Sequence, residues 1–181
     1  MTSRVPVPAS ALAHDKGPGL HAVYWDNADL RGVSTLTRVD PAIDFTWTLS
    51  SPGAGLPYDH YSARWTGTLT VPKGGTRALA IEGADGVRVW VDDVLVIDRW
   101  AKRSAGVWRT PITLREGAHN LRMEFHERRG NVKLKLLWEV GTPQPVERQI
   151  AEAVKAARAS EVAVVVAGIE EGEFRDRSLL A

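Results

Sequence analysis

Cysteine is absent from this 181-residue chain. That excludes disulfides, thiolate zinc sites and cysteine nucleophiles. Long hydrophobic runs are absent too: the longest, residues 162–169, is far short of the ~20 residues of a membrane helix. Neither sign of charge dominates, with 23 Lys and Arg against 22 Asp and Glu and a formal net charge of +1. Without a Lys/Arg block, this balance argues against a nucleic-acid partner. The first residues lack the charged-then-apolar pattern of a secretion signal. The compartment is therefore open, cytoplasmic or secreted, depending on a signal upstream. No Gly-rich phosphate loop or serine-nucleophile elbow occurs. The five His (His14, His21, His60, His119, His126) show no metal-like spacing, and no cofactor is expected.

Tryptophan, by contrast, is abundant, with seven residues. Trp serves large cores or sugar-binding faces. Residues 1–19 are rich in Pro, Ser, Ala and Gly, show no period, and read as a linker or extended arm. From residue 20 to 141 the pattern becomes short alternating segments with Gly, Pro and Asp between them. In "AIDFTWTL", Ile43, Phe45 and Trp47 alternate with polar neighbours. In "HNLRMEFHE", Leu121, Met123 and Phe125 share one face, and Arg122, Glu124 and His126 the other. "NVKLKLLWEV" repeats the pattern with Val132, Leu134, Leu136 and Trp138. Asp92-Asp93 sits where a two-residue hairpin turn belongs. Seven or eight closely spaced strands without helix predict an antiparallel β-sandwich, mainly β. Trp47, Trp65, Trp90 and Trp138 are expected in its core, while Trp100 and Trp108 flank a loop.

At "TPQP", residues 142–145, the grammar switches. "VERQIAEAVKAARAS" places Val146, Ile150, Val154 and Ala157 on one face of a helix. "EVAVVVAGI" then reads as a strand covered on both faces. One helix and one strand cannot cover each other on both sides, so residues 142–181 read as the start of an incomplete α/β domain.

The segments "SARWTG", "DGVRVWVDD" and "GAHNLRMEFHE" resemble the anthrax protective-antigen type of β-sandwich, the fourteen-kilodalton module. The tail, "AARASEVAVVVAGIEEGEFRDRSLLA", resembles the α/β-sandwich domain of glycoside hydrolase family 3. Together these resemblances imply a fragment of a β-glucosidase-like hydrolase, the remainder of that enzyme being its partner. Retaining glycoside hydrolysis needs two carboxylates about 5–5.5 Å apart. The resemblance places the acid/base among Glu170, Glu171 and Glu173, with Glu173 in "GEF" favoured and Glu171 close behind. Asp176 and Arg177 would pair and hold that loop. The nucleophilic Asp of the family has no match here, so this stretch is expected to be inactive by itself.

For the sandwich, carbohydrate is the expected partner, reached through Asp85, Trp100, Lys102 and Arg103. Adhesin relatives of the sandwich hold calcium through two adjacent aspartates at the "DG" turn. Ala84-Asp85-Gly86 lacks the first, and calcium wants six to eight oxygens, so no metal site is expected. The alternative function is a stand-alone carbohydrate-binding module or adhesin without catalysis. A purely structural spacer is the third.

Overall fold

The computed structural model describes residues 3–48, 50–101, 105–140, 146–162 and 164. It divides into two compact units, residues 2–142 and residues 143–181.

The first unit is an antiparallel sandwich. In chain order its strands are β1 (Ser3–Pro6), β2 (Leu12–His14), β3 (Gly17–Pro18), β4 (Leu20–Trp25), β5 (Leu36–Asp40) and β6 (Asp44–Trp47). There follow β7 (Tyr61–Val71), β8 (Gly75–Gly83), β9 (Gly86–Val91), β10 (Val94–Arg99), β11 (Gly106–Leu114), β12 (Gly117–Glu127) and β13 (Val132–Val140). The smaller sheet runs β1-β13-β8-β11, with β6 also on β13. The larger runs β10-β9-β12-β7-β2-β3, with β4 on β7 and β5 on β4.

Alternation sorts the side chains as the sequence predicts. On β12, Leu121, Met123 and Phe125 are buried in the core between the sheets. Trp65 and Trp138 join them, and Trp47 packs against the cluster. Tyr24 meets the Trp65 ring edge-on at 5.7 Å, and Phe45 stacks on Trp47 at 4.5 Å. Trp90 departs from expectation. It is half-buried and outside the core, because Val87, Val89 and Val91 take the inward positions of β9.

The stretch expected as an arm is part of the sandwich. β1 pairs with β13 and β2 with β7, and Val7 and Leu12 are buried in the core. Strands of two to four residues are too short to show a period. Pro6 is tolerated because β1 is an edge strand, where a missing donor breaks no inner ladder.

In the second unit, α1 (Val146–Arg158) forms as its pattern predicts. Ile150 and Val154 are exposed. Val162 and Val164 are described in no strand and are 77% and 84% exposed. Most of the valine run, together with Glu170, Glu171, Glu173, Asp176 and Arg177, lies outside the described residues. No helix among the described residues is long and apolar enough to cross a membrane.

Candidate functional site

The outward face of the larger sheet carries the chemistry. Its register builds two rows of side chains across the strands. One row runs Leu95, Trp90, Arg122, Thr66, His21, Val39. The next runs Asp98, Arg88, Glu124, Arg64, Val23, Thr37.

Three guanidinium–indole stacks stand on this face. Arg88 lies over Trp100 at 4.5 Å, Arg64 over Trp25 at 5.5 Å, and Arg122 over Trp90 at 4.1 Å. Such stacks are attractive through the ring quadrupole. Two of the three cations are also neutralised: Arg64 pairs with Glu124 at 2.8 Å and Arg88 with Asp98 at 3.4 Å.

The first row forms part of an open groove of about 750 Å³. Trp90, Arg122, Thr66 and His21 line it, joined by Asn120 and by Asp93 of the hairpin turn. Further lining comes from the β2–β3 turn with Asp15 and Lys16, and from Arg38 on β5. Gly67 is required where β7 changes partner from β2 to β4: a Cβ there would lie 2.3 Å from the Ala13 carbonyl oxygen. The Asp92-Asp93 turn has φ of 49° and 63°, the conformation of a two-residue primed hairpin. It is clamped from below, with His119 Nδ1 2.7 Å from Asp92 Oδ2 and the Asn120 N–H donating to Asp92 Oδ1 at 2.9 Å. The His119 contact is the main cause that holds the Asp92 carboxyl below its usual range.

A second zone surrounds the "DG" turn. Asp85 has φ 64° and is 2% exposed, so its carboxylate faces the interior and not solvent. Glu127 is fully buried as well. Burial first, then these two carboxylates, push the Tyr61 phenol far above its ordinary value. Gly86 allows close packing: a Cβ would lie 2.0 Å from His126 Nε2 and 2.5 Å from the Trp100 carbonyl oxygen. His126 Nε2 donates to that carbonyl at 2.8 Å, and the two rings meet edge-on at 4.6 Å. The structure thus brings Asp85 and Trp100 to one end of the sheet, with Trp100 half-buried and Asp85 buried. Lys102 and Arg103 lie outside the described residues. Among the described residues, no group of three or more His, Asp or Glu is placed to hold a metal.

Burial holds the His126 imidazole below its ordinary value. An unfolded chain takes up a proton at about pH 6.5 that the folded His126 refuses. The stability this contributes is full above pH 6.5 and is lost as pH falls from there through the folded value. Urea midpoints between pH 7.5 and pH 5 are therefore expected to fall on acidification, and less steeply in His126→Gln. Equal slopes in the two proteins would remove His126 as the cause.

Sequence comparison adds the family. Residues 16–152 match the model of the PA14 domain. This chain belongs to the PA14 domain family. A 129-residue stretch is 35% identical to the anti-sigma-I factor RsgI3 of Acetivibrio thermocellus, covering 71% of this chain and 20% of that protein. An anti-sigma factor domain-containing protein from Clostridium clariflavum is 32% identical over 70% of this chain and 48% of that one, at a TM-score of 0.63. The chain thus spans about a fifth of the curated relative and under half of this structural one. A PA14 sugar-binding domain from an RTX adhesin has the same fold at 18% identity, covering 69% of this chain and 92% of its own, with a TM-score of 0.56.

These relatives overturn the expectation of a family 3 hydrolase fragment. Kinship above 30% identity runs to anti-sigma factor proteins. The glycosidases among the solved structures match at 22% identity or less, at most a likeness of fold. The PA14 domain is a module hosted by unrelated proteins, so its presence names no reaction. An Ala-rich helix followed by a valine run is equally a general α/β pattern.

Proposed function

We propose that this PA14 domain is a non-catalytic saccharide-binding module that seats its ligand in the groove on the larger sheet. The groove itself supports the reading: a rigid sheet presents an indole, a guanidinium, two hydroxyl or amide side chains and a carboxylate to one open trough. Sugars are recognised by this mixture of apolar ring and convergent polar groups. The RTX adhesin domain, described as sugar-binding, supports it at the level of the fold. The anti-sigma relatives suggest a setting in which the module serves as the recognition part of a larger regulatory protein.

The rim at Trp100 is the second seat. Its support is the fixed, half-buried Trp100 ring. Affinity electrophoresis of the purified chain against a panel of plant and microbial polysaccharides tests both. Binding is expected to persist in EDTA. Trp90→Ala is expected to weaken it about fivefold, a ring contact being worth about a kcal/mol, and Trp100→Ala to leave it within twofold. The reverse ranking moves the seat to the rim. Retention of no saccharide sinks the reading.

A further inference from the structure

We propose that the groove selects a negatively charged saccharide, and that Arg122 supplies the charge that selects it. This rests on the saccharide-binding reading and goes further by naming the ligand class. The observation is an asymmetry. Of the three Arg–Trp stacks on this face, Arg64 and Arg88 have carboxylate partners, and Arg122 has none among the described residues. The Arg122 Nε is buried with no hydrogen-bond acceptor. Arg77 and Arg99 also carry a buried, unmatched Nε, but neither lines the groove.

An unmatched buried donor on a cation is costly. Arg122 stands in the wall of an open groove with its charge unpaired, where an incoming anion can neutralise it through the terminal N–H groups. Stacking on Trp90 engages the π-face of the guanidinium and leaves those terminal groups for the ligand. Those groups form the fork that fits a carboxylate or sulfate in bidentate fashion.

The other charges in the groove are consistent with this. Arg38 is committed: its Nε donates to Asp40, its Nη2 to the Tyr24 hydroxyl and its Nη1 to the Pro52 carbonyl. Lys16 is exposed in the β2–β3 turn and adds a second cation. Asp15 and Asp93 oppose an anion, but both sit in exposed turns where water and salt screen them. The half-buried guanidinium is screened least.

Isothermal titration of the full chain separates the possibilities. The probes are an oligouronide, the same oligosaccharide with its carboxylates reduced to alcohols, and a sulfated neutral oligosaccharide. The uronide or the sulfated chain is expected to bind at least about tenfold more tightly than the reduced one. Whichever of the two prevails identifies the anion as carboxylate or sulfate. Arg122→Gln is expected to erase the preference, and Lys16→Gln to weaken it two- to threefold. Arg122→Lys keeps the charge but loses the fork, and is expected to fall between wild type and Gln. It also serves if Arg122→Gln does not fold. Equal affinity for the charged and reduced probes overturns the charge selection and leaves the saccharide reading standing. So does a preference that survives in a folded Arg122 variant. Binding of none of the probes removes both.

Discussion

Asp40→Ala is expected to lower the unfolding free energy by about 3–4 kcal/mol, the largest loss of any single polar substitution in this domain. Asp40 is 4% exposed at the end of β5. It accepts a hydrogen bond from the Trp65 indole at 2.8 Å, one from Arg38 Nε at 2.6 Å and one from the Tyr24 hydroxyl. The Trp65 and Tyr24 rings are fully buried. Removing the carboxylate leaves two donors in the core with no acceptor, at about 1–3 kcal/mol each. The Arg38 side chain is 32% exposed, so its lost ion pair adds little after screening by water. Asp40→Asn keeps one acceptor oxygen and is expected to lose less. Tyr24→Phe, which removes one donor and leaves its acceptor matched, is expected to cost about 1 kcal/mol. Urea unfolding at pH 7 reads all three. A loss below 1 kcal/mol in Asp40→Ala would show that the network does not hold the sheet.

The long strands were readable because their alternation is strict and runs over nine to eleven residues, as in β12 and β13. Trp90 was misplaced because tryptophan was sorted by hydrophobicity. Register was the better guide. In "GVRVWV" three valines alternate with Arg88 and Trp90, and small β-branched residues suit the inner face as well as any ring. Read that way, Trp90 shares the outer face with Arg88, as observed. The first strands were invisible for a different reason. Ser3 pairs with Val140 at the far end of the sandwich, and no local pattern records so distant a partner. The groove is non-local too: Lys16, His21, Arg38, Thr66, Trp90 and Arg122 come from six separate segments. The "DG" turn was recognisable by motif. Its inward-facing Asp85, however, is set by a burial that no local pattern records. The hydrolase expectation failed at another level, since it inferred a host protein from a module that many hosts share.

Gly86→Ala is the second large expected effect, a destabilisation of about 2–4 kcal/mol. The backbone at Gly86 has no left-handed φ, so conformational freedom is not the reason for glycine here. The reason is space. The added methyl would lie 2.0 Å from His126 Nε2 and 2.5 Å from the Trp100 carbonyl oxygen, well inside contact distance. The two atoms it strikes are the two ends of one hydrogen bond. The methyl must therefore separate them. His126, 2% exposed, then keeps a buried N–H without an acceptor, and Trp100 loses both its anchor and its edge-on contact. Arg88, stacked on Trp100, moves with it. A double-mutant cycle isolates the cause. Removing the ring in His126→Ala takes away one of the struck groups, so Gly86→Ala should cost at least 1 kcal/mol less in that background than in wild type. If the two losses simply add, the clash with His126 is not the mechanism. If Gly86→Ala is as stable as wild type, the close approach of Gly86 to Trp100 is not needed either. The groove at Trp90 lies one row beyond Arg88 and shares no atom with this anchor, so saccharide binding seated there should survive Gly86→Ala in the folded fraction. Binding seated at the Trp100 rim should be lost with the anchor, which makes this one substitution a second, independent discriminator between the two seats.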